Sequence, residues 1–146
     1  MRYDGYMTTP LSIRFDRDVL DRLRHRAARI PGATPSGLVQ RLVDEGLRMA
    51  EHPGVVFKDG PGGRRPALKV GPDIWELVKF LREIDERGEL AAKAASEVFV
   101  ISEAAVHAGL AYYTSYPDEI DAWIADADAS SERAEQAWHQ QQELLG

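Results

Sequence analysis

The chain has 146 residues, 18 Lys/Arg, 24 Asp/Glu and no cysteine, for a net charge of -6, which allows one ordinary domain or two small ones and excludes disulfides and thiolate metal sites. Its four histidines (His25, His52, His107, His139) lack ligand spacing, and no stretch reaches the roughly 18 apolar residues of a membrane span or the apolar core of a signal peptide, so a soluble protein of the reducing cytoplasm is expected. Residues 1–52 carry nine Lys/Arg against seven Asp/Glu, whereas residues 53–146 carry nine against seventeen, so only the N-terminal third offers a basic surface to an anionic partner.

In chain order, "PLSIRF" (Pro10 to Phe15) alternates at the period of a strand, with Leu11, Ile13 and Phe15 on one face and Pro10, Ser12 and Arg14 on the other. Asp16 is placed to cap a helix with apolar positions Val19, Leu20, Leu23, Ala27 and Ile30, ended by "PGA". Thr34 as N-cap and Pro35 at the first position open a second helix, whose stripe Leu38, Val39, Leu42, Val43 and Leu47 runs to about Ala50.

"EHPG" marks a boundary, after which "VVFK", the turn-rich "DGPGG" and "RRPALKV" predict a β-hairpin whose second strand Pro66 limits. A helix is expected from Gly71 and Pro72 to Gly88, with Ile74, Leu77, Val78, Leu81 and Ile84 on one face, then a shorter one over "ELAAKAASEVF". Ser102 caps the next, which runs through Tyr113 with Ile101 and Val106 at hydrophobic-staple positions, and the pair reads as a helix-turn-helix.

Pro117 restarts the helix with Asp118, Glu119 and Asp121 in its first turns, where negative charge is favoured, and Ile120, Trp123, Ile124, Ala127, Ala134 and Trp138 continue a sparse apolar stripe. From Ala125 the composition is biased enough to predict partial disorder. The expected fold is mainly α with short β, divided into residues 8–50, 53–125 and a tail, 126–146, that is an acidic helix or partly disordered.

Two features invite other chemistry. "GPGGRRP" places glycines beside Arg64 and Arg65, as a phosphate cradle would, yet lacks the Gly-Lys-Ser/Thr ending of a P-loop and reads better as a hairpin turn. The carboxylates of Asp118, Glu119 and Asp121 read as helix N-terminal charge rather than an acid/base or metal cluster, and no catalysis, cofactor or metal is expected.

Strand, helix, tight turn and helix within about 45 residues, in "PLSIRFDRDVLDRLRHRAARIPGATPSGLVQRLVDEGL", resemble the ribbon-helix-helix proteins of the Arc/MetJ/CopG type. The resemblance implies a dimer in which two chains pair their strands into a ribbon above a core of four helices, with Leu11, Ile13 and Phe15 inward. It further implies that Pro10, Ser12 and Arg14 enter the DNA major groove, Arg14 as the main base reader, since a guanidinium bonds a guanine edge bidentately. A phosphate would be anchored at the second helix by Thr34, Ser36 and Gly37, with Arg2, Arg17 and Arg41 helping electrostatically. Pro10 departs from the polar residue usual at the first reading position, which thins the base readout.

Residues 53 to about 125, through the Gly-Gly-Arg-x-Pro hairpin, the helix after it and the ending "GLAYY", are similar to a small winged helix-turn-helix domain found in some VapB-type antitoxins. Its recognition helix would be Ser102 to Tyr113, which offers no Lys or Arg and so fits packing or partner binding better than DNA reading. From Pro117 to Gly146 there are eight Asp/Glu and one Arg, an acidic helix with Trp123, Ile120, Ile124 and Trp138 as partner-binding anchors. The expectation is a cytoplasmic antitoxin and transcriptional repressor that binds operator DNA as a dimer and a PIN-like ribonuclease toxin through its C-terminal part. The alternative is a stand-alone regulator whose second domain oligomerises or senses a ligand.

Overall fold

A computed structural model of the chain describes residues 8–146. These residues form six helices and one two-stranded antiparallel hairpin: α1 (Arg17–Ala28), α2 (Pro35–Glu51), β1 (Val55–Lys58), β2 (Arg65–Leu68), α3 (Ile74–Glu83), α4 (Glu89–Phe99), α5 (Glu103–Ser115) and α6 (Pro117–Leu145). The chain divides into two compact units, one ending at Asp44 and the other running from Glu45 to Gly146. The division falls inside α2 rather than at the expected "EHPG", because the last turns of α2 are tied into the second unit. There Glu45 pairs with Arg64, and Arg48 with Glu119.

In the first unit, Asp16 holds the N-cap position of α1 without a side-chain cap hydrogen bond. Thr34 does cap α2: its Oγ1 accepts the Gly37 N–H at 3.1 Å. Pro10 to Phe15 has no regular secondary structure, against the expected strand. The physical reason is that backbone groups of a strand need a partner strand to pair with, and among the described residues none lies beside this segment.

In the second unit β1 and β2 pair in register, Val55 with Leu68 and Lys58 with Arg65. Pro66 does not shorten β2 but sits within it, opposite Phe57, a place a two-stranded sheet tolerates because a proline nitrogen can face away from the ladder. The start of α3 is set by Asp73 rather than Pro72, with the Glu76 carboxylate accepting the Asp73 N–H at 3.4 Å. The helix ends at Glu83, since Ile84 is extended, and Gly88, at φ 61°, starts α4 instead of closing α3.

Helices α4 and α5 meet at 109° across a three-residue turn, with Ser102 Oγ accepting the Ala105 N–H at 3.0 Å. That bend separates the two most apolar helices, and among the described residues no single helix is long and apolar enough to cross a membrane. The core joins Val55 and Leu68 of the hairpin to Ile74, Leu77, Val106, Tyr112, Ile120 and Ile124. Gly109 lets α5 approach α3: a Cβ there would lie 2.6 Å from Leu77 Cδ2, closer than packed carbons come. The predicted disorder after Ala125 is not found. Helix α6 is unbroken through Leu145, as its alanines, glutamates and glutamines favour, although every residue from Ser131 onward is exposed.

Candidate nucleic-acid interface

The described part of the first unit, residues 8–44, holds seven arginines against four aspartates, a balance of +3 in an acidic protein. Pro10, Ser12 and Arg14 are all exposed, and so are the residues between them: Leu11 is 81%, Ile13 53% and Phe15 39% accessible. An isolated chain thus leaves three large apolar side chains in water at its start. Helix α2 leaves Leu42 and Val43 uncovered as well, although Leu38 is buried.

Between α1 and α2 runs a groove of about 760 Å³, apolar at its base through Val19, Leu23, Leu38 and Leu42 and edged by Arg22 and Arg29. Among the described residues of this unit each helix has one helical neighbour for a stripe wider than one contact, and the face is left open.

At the N-terminus of α2 the structure narrows the expected phosphate anchor. The Gly37 N–H is taken by Thr34 Oγ1, the Leu38 N–H by the Thr34 carbonyl at 2.9 Å, and Pro35 has no N–H. Ser36 is exposed, and no hydrogen bond from its N–H or hydroxyl is seen among the described residues. The Thr34 side chain and the Gly37 N–H are bonded to each other in the turn. Arg17 is exposed and Arg41 half-buried, while Arg2 lies outside the described residues.

The second unit uses several of its charges internally. Arg64 is bonded to Glu45 and lies 3.3 Å from Asp59, and Arg65 donates to Asp73 at 2.5 Å and to the Asp59 carbonyl at 2.9 Å, so the glycine-rich loop is a hairpin turn with its arginines occupied. Glu119 binds Arg48 and Tyr112, and Asp121 binds Arg82 and Tyr113, which gives these two carboxylates of the α6 cluster structural partners. On α5 the exposed positions Glu103, Ala104, His107, Ala111, Thr114 and Ser115 include no Lys or Arg.

Of the expected partner anchors, Ile120 and Ile124 are corrected: both are buried in the core and cannot reach a partner. Trp123 is half-buried, its ring against Gly62, and Trp138 is 56% exposed on the free half of α6. Two arrangements were not legible in the sequence, the Arg48–Tyr112–Glu119 cluster and a groove formed by Trp75, Trp123, Asp126 and Arg133. The first had no signal, its members being 64 and 71 positions from Arg48. The second had a faint one in Arg133, the single base of α6.

Compared with known proteins, the chain matches no family model, no curated protein and no solved structure.

Proposed function

We propose that this chain is a DNA-binding antitoxin and transcriptional repressor that reads its operator as a dimer. The observation that carries the reading is the uncovered apolar surface of the first unit: Leu11, Ile13 and Phe15 exposed in a segment patterned as a strand, in a unit whose α1–α2 groove is also apolar. Burying that surface against a second copy pairs the two Pro10–Phe15 segments and supplies both the missing ladder and the missing half of the core.

The same alternation fixes which side chains are left for DNA. With Leu11, Ile13 and Phe15 inward, Arg14 and Ser12 project from the ribbon, and Arg14 reads a guanine edge. Ser36 at the start of α2 holds a phosphate through its N–H and hydroxyl, and the surrounding arginines add charge that is screened by salt.

The order of hairpin and helices in the second unit fits a winged helix-turn-helix, and Arg48, Arg64, Arg65, Lys79 and Arg82 are spent on internal pairs, which supports a partner-facing role. The exposed half of α6, acidic and carrying Trp138, suits a basic groove of a ribonuclease toxin. The test is the oligomeric state of the full chain by sedimentation at micromolar concentration. The wild type sediments as a dimer and Ile13→Asp as a monomer; a wild-type monomer overturns the reading.

A further inference from the structure

The hairpin turn, the start of α3 and the middle of α6 enclose a groove of about 480 Å³ in the second unit, lined by Trp75 and Trp123. This is the size of a small-molecule site. Both indoles are held in place from behind. Trp75 Nε1 donates to Asp73 Oδ2 at 3.2 Å, and Arg65 fixes that carboxylate from the other side at 2.5 Å. Trp123 lies on the backbone of Gly62, where a Cβ would come within 3.0 Å of ring carbon Cζ3.

Two charged residues line the same groove with no ion pair to either among the described residues. Asp126 and Arg133 have no opposite charge three or four positions away on α6: the neighbours of Asp126 are Ala122, Trp123, Ala129 and Ser130, and those of Arg133 are Ala129, Ser130, Gln136 and Ala137. Among the described residues Arg133 is seen bonded to Ser130 Oγ, at 3.1 Å. In a helix with eight acidic residues, its one Lys/Arg therefore lines an aromatic groove and is bonded to no carboxylate among the described residues.

We propose that this groove binds a guanine nucleotide. The indole faces stack the base, as aromatic side chains do with any nucleobase. Asp126 accepts from the base edge: guanine presents two adjacent donors, N1–H and the 2-amino group, to a carboxylate's two oxygens, whereas adenine presents one amino group. Arg133, with the Ser130 hydroxyl, takes the phosphate. The seven positions between Asp126 and Arg133 are two helical turns, roughly 10 Å along α6, which matches the span of a mononucleotide from base edge to 5′-phosphate. All of these residues belong to the second unit, so the proposal stands or falls independently of DNA reading by Arg14.

The experiment is titration of the full-length protein with guanosine 5′-monophosphate, followed by tryptophan fluorescence and by calorimetry, with adenosine 5′-monophosphate and guanosine as comparators. The expected result is saturable binding that favours the guanine nucleotide over the adenine one. Asp126→Asn weakens it about tenfold and erodes that preference, and Arg133→Gln weakens the nucleotide about tenfold while leaving guanosine unchanged. Both positions are exposed on α6, so neither variant disturbs the core. Absence of saturable binding by the wild type, or binding of guanosine 5′-monophosphate by both variants as tightly as by the wild type, overturns the proposal.

Discussion

Arg48, in the last turn of α2, donates a 2.5 Å hydrogen bond to Glu119 of α6, and the Tyr112 hydroxyl closes the triangle by accepting from Arg48 at 2.9 Å and donating to Glu119 at 2.9 Å. The guanidinium also lies over the Tyr116 ring, 4.0 Å from its centroid. Burial works against the charge on Arg48, but the hydrogen bonds it donates to Tyr112 and Glu119 outweigh it and raise its pKa. Burial, with Glu119 nearby, pushes the Tyr112 hydroxyl up as well, so Tyr112 stays a neutral donor. A closed set of partners of this kind is costly to open, since each group left behind keeps its desolvation penalty.

Tyr112→Phe removes the shared hydroxyl and leaves both Arg48 and Glu119 short of a partner while keeping the ring in the core. The second unit is expected to lose about 1–3 kcal/mol of stability, read by urea unfolding. An unchanged midpoint contradicts the triangle as a stabilising element.

Val100 ends α4 at φ 54° and ψ 53° and is 86% exposed. A β-branched residue in the left-handed region is strained by about 1–2 kcal/mol, and this one has little packing to lose. Val100→Gly is expected to raise the thermal midpoint, because relief of strain exceeds the added chain entropy of glycine. A fall in the midpoint would show that the side chain contributes packing in the turn.

The Asp121 carboxylate accepts from Arg82 at 2.7 Å and from the Tyr113 hydroxyl at 2.9 Å, and these bonds, that of Arg82 foremost, hold it below its ordinary value of 3.8. A folded-state value below the unfolded one stabilises the fold at higher pH, in full above about 3.8, and the contribution is lost as pH falls through the folded value. Asp121→Asn is therefore expected to lower stability near neutral pH and to flatten its decline in acid. Unfolding midpoints followed between about pH 6 and pH 2 check this; parallel curves for wild type and variant contradict it.

Truncation separates the half of α6 proposed to bind a partner from the half the fold needs. Ile120 and Ile124 are core residues and Asp128 pairs with Lys79, whereas every residue from Ser131 is exposed. A chain ending at Ser130 is expected to fold and bind DNA as the full chain does, yet to lose neutralisation of a toxin encoded beside it, measured by rescue of growth. Full protection by the shortened chain contradicts a partner role for the exposed half.

The elements that the sequence declares by itself are those whose ends carry a capping signal. Thr34 with Pro35, Ser102 and Pro117 each mark a helix start that the structure shares, because the cap chemistry is local. Where a distant partner competes, local reading slips. Asp73 begins α3 with its side chain engaged by Arg65 and Trp75, so Pro72 is passed over. The acidic bias after Ala125 reads as disorder, although its alanines and glutamines are good helix formers. Ile120 and Ile124 look like binding anchors on a sparse stripe, and only the packing of α5 and the hairpin shows that they belong to the core. Of the residues proposed to face DNA, Arg14 and Ser36 stay exposed as the alternation and the helix start imply, while the Gly37 N–H is already spent on Thr34.

The most direct test of DNA reading by the ribbon is the affinity of the full-length protein for the DNA upstream of its own coding region, compared with Arg14→Ala at fixed salt. The account predicts that the variant binds about tenfold or more weakly and loses most of its preference over unrelated DNA, because a bidentate guanine contact supplies that discrimination. Unchanged affinity and unchanged preference would contradict it.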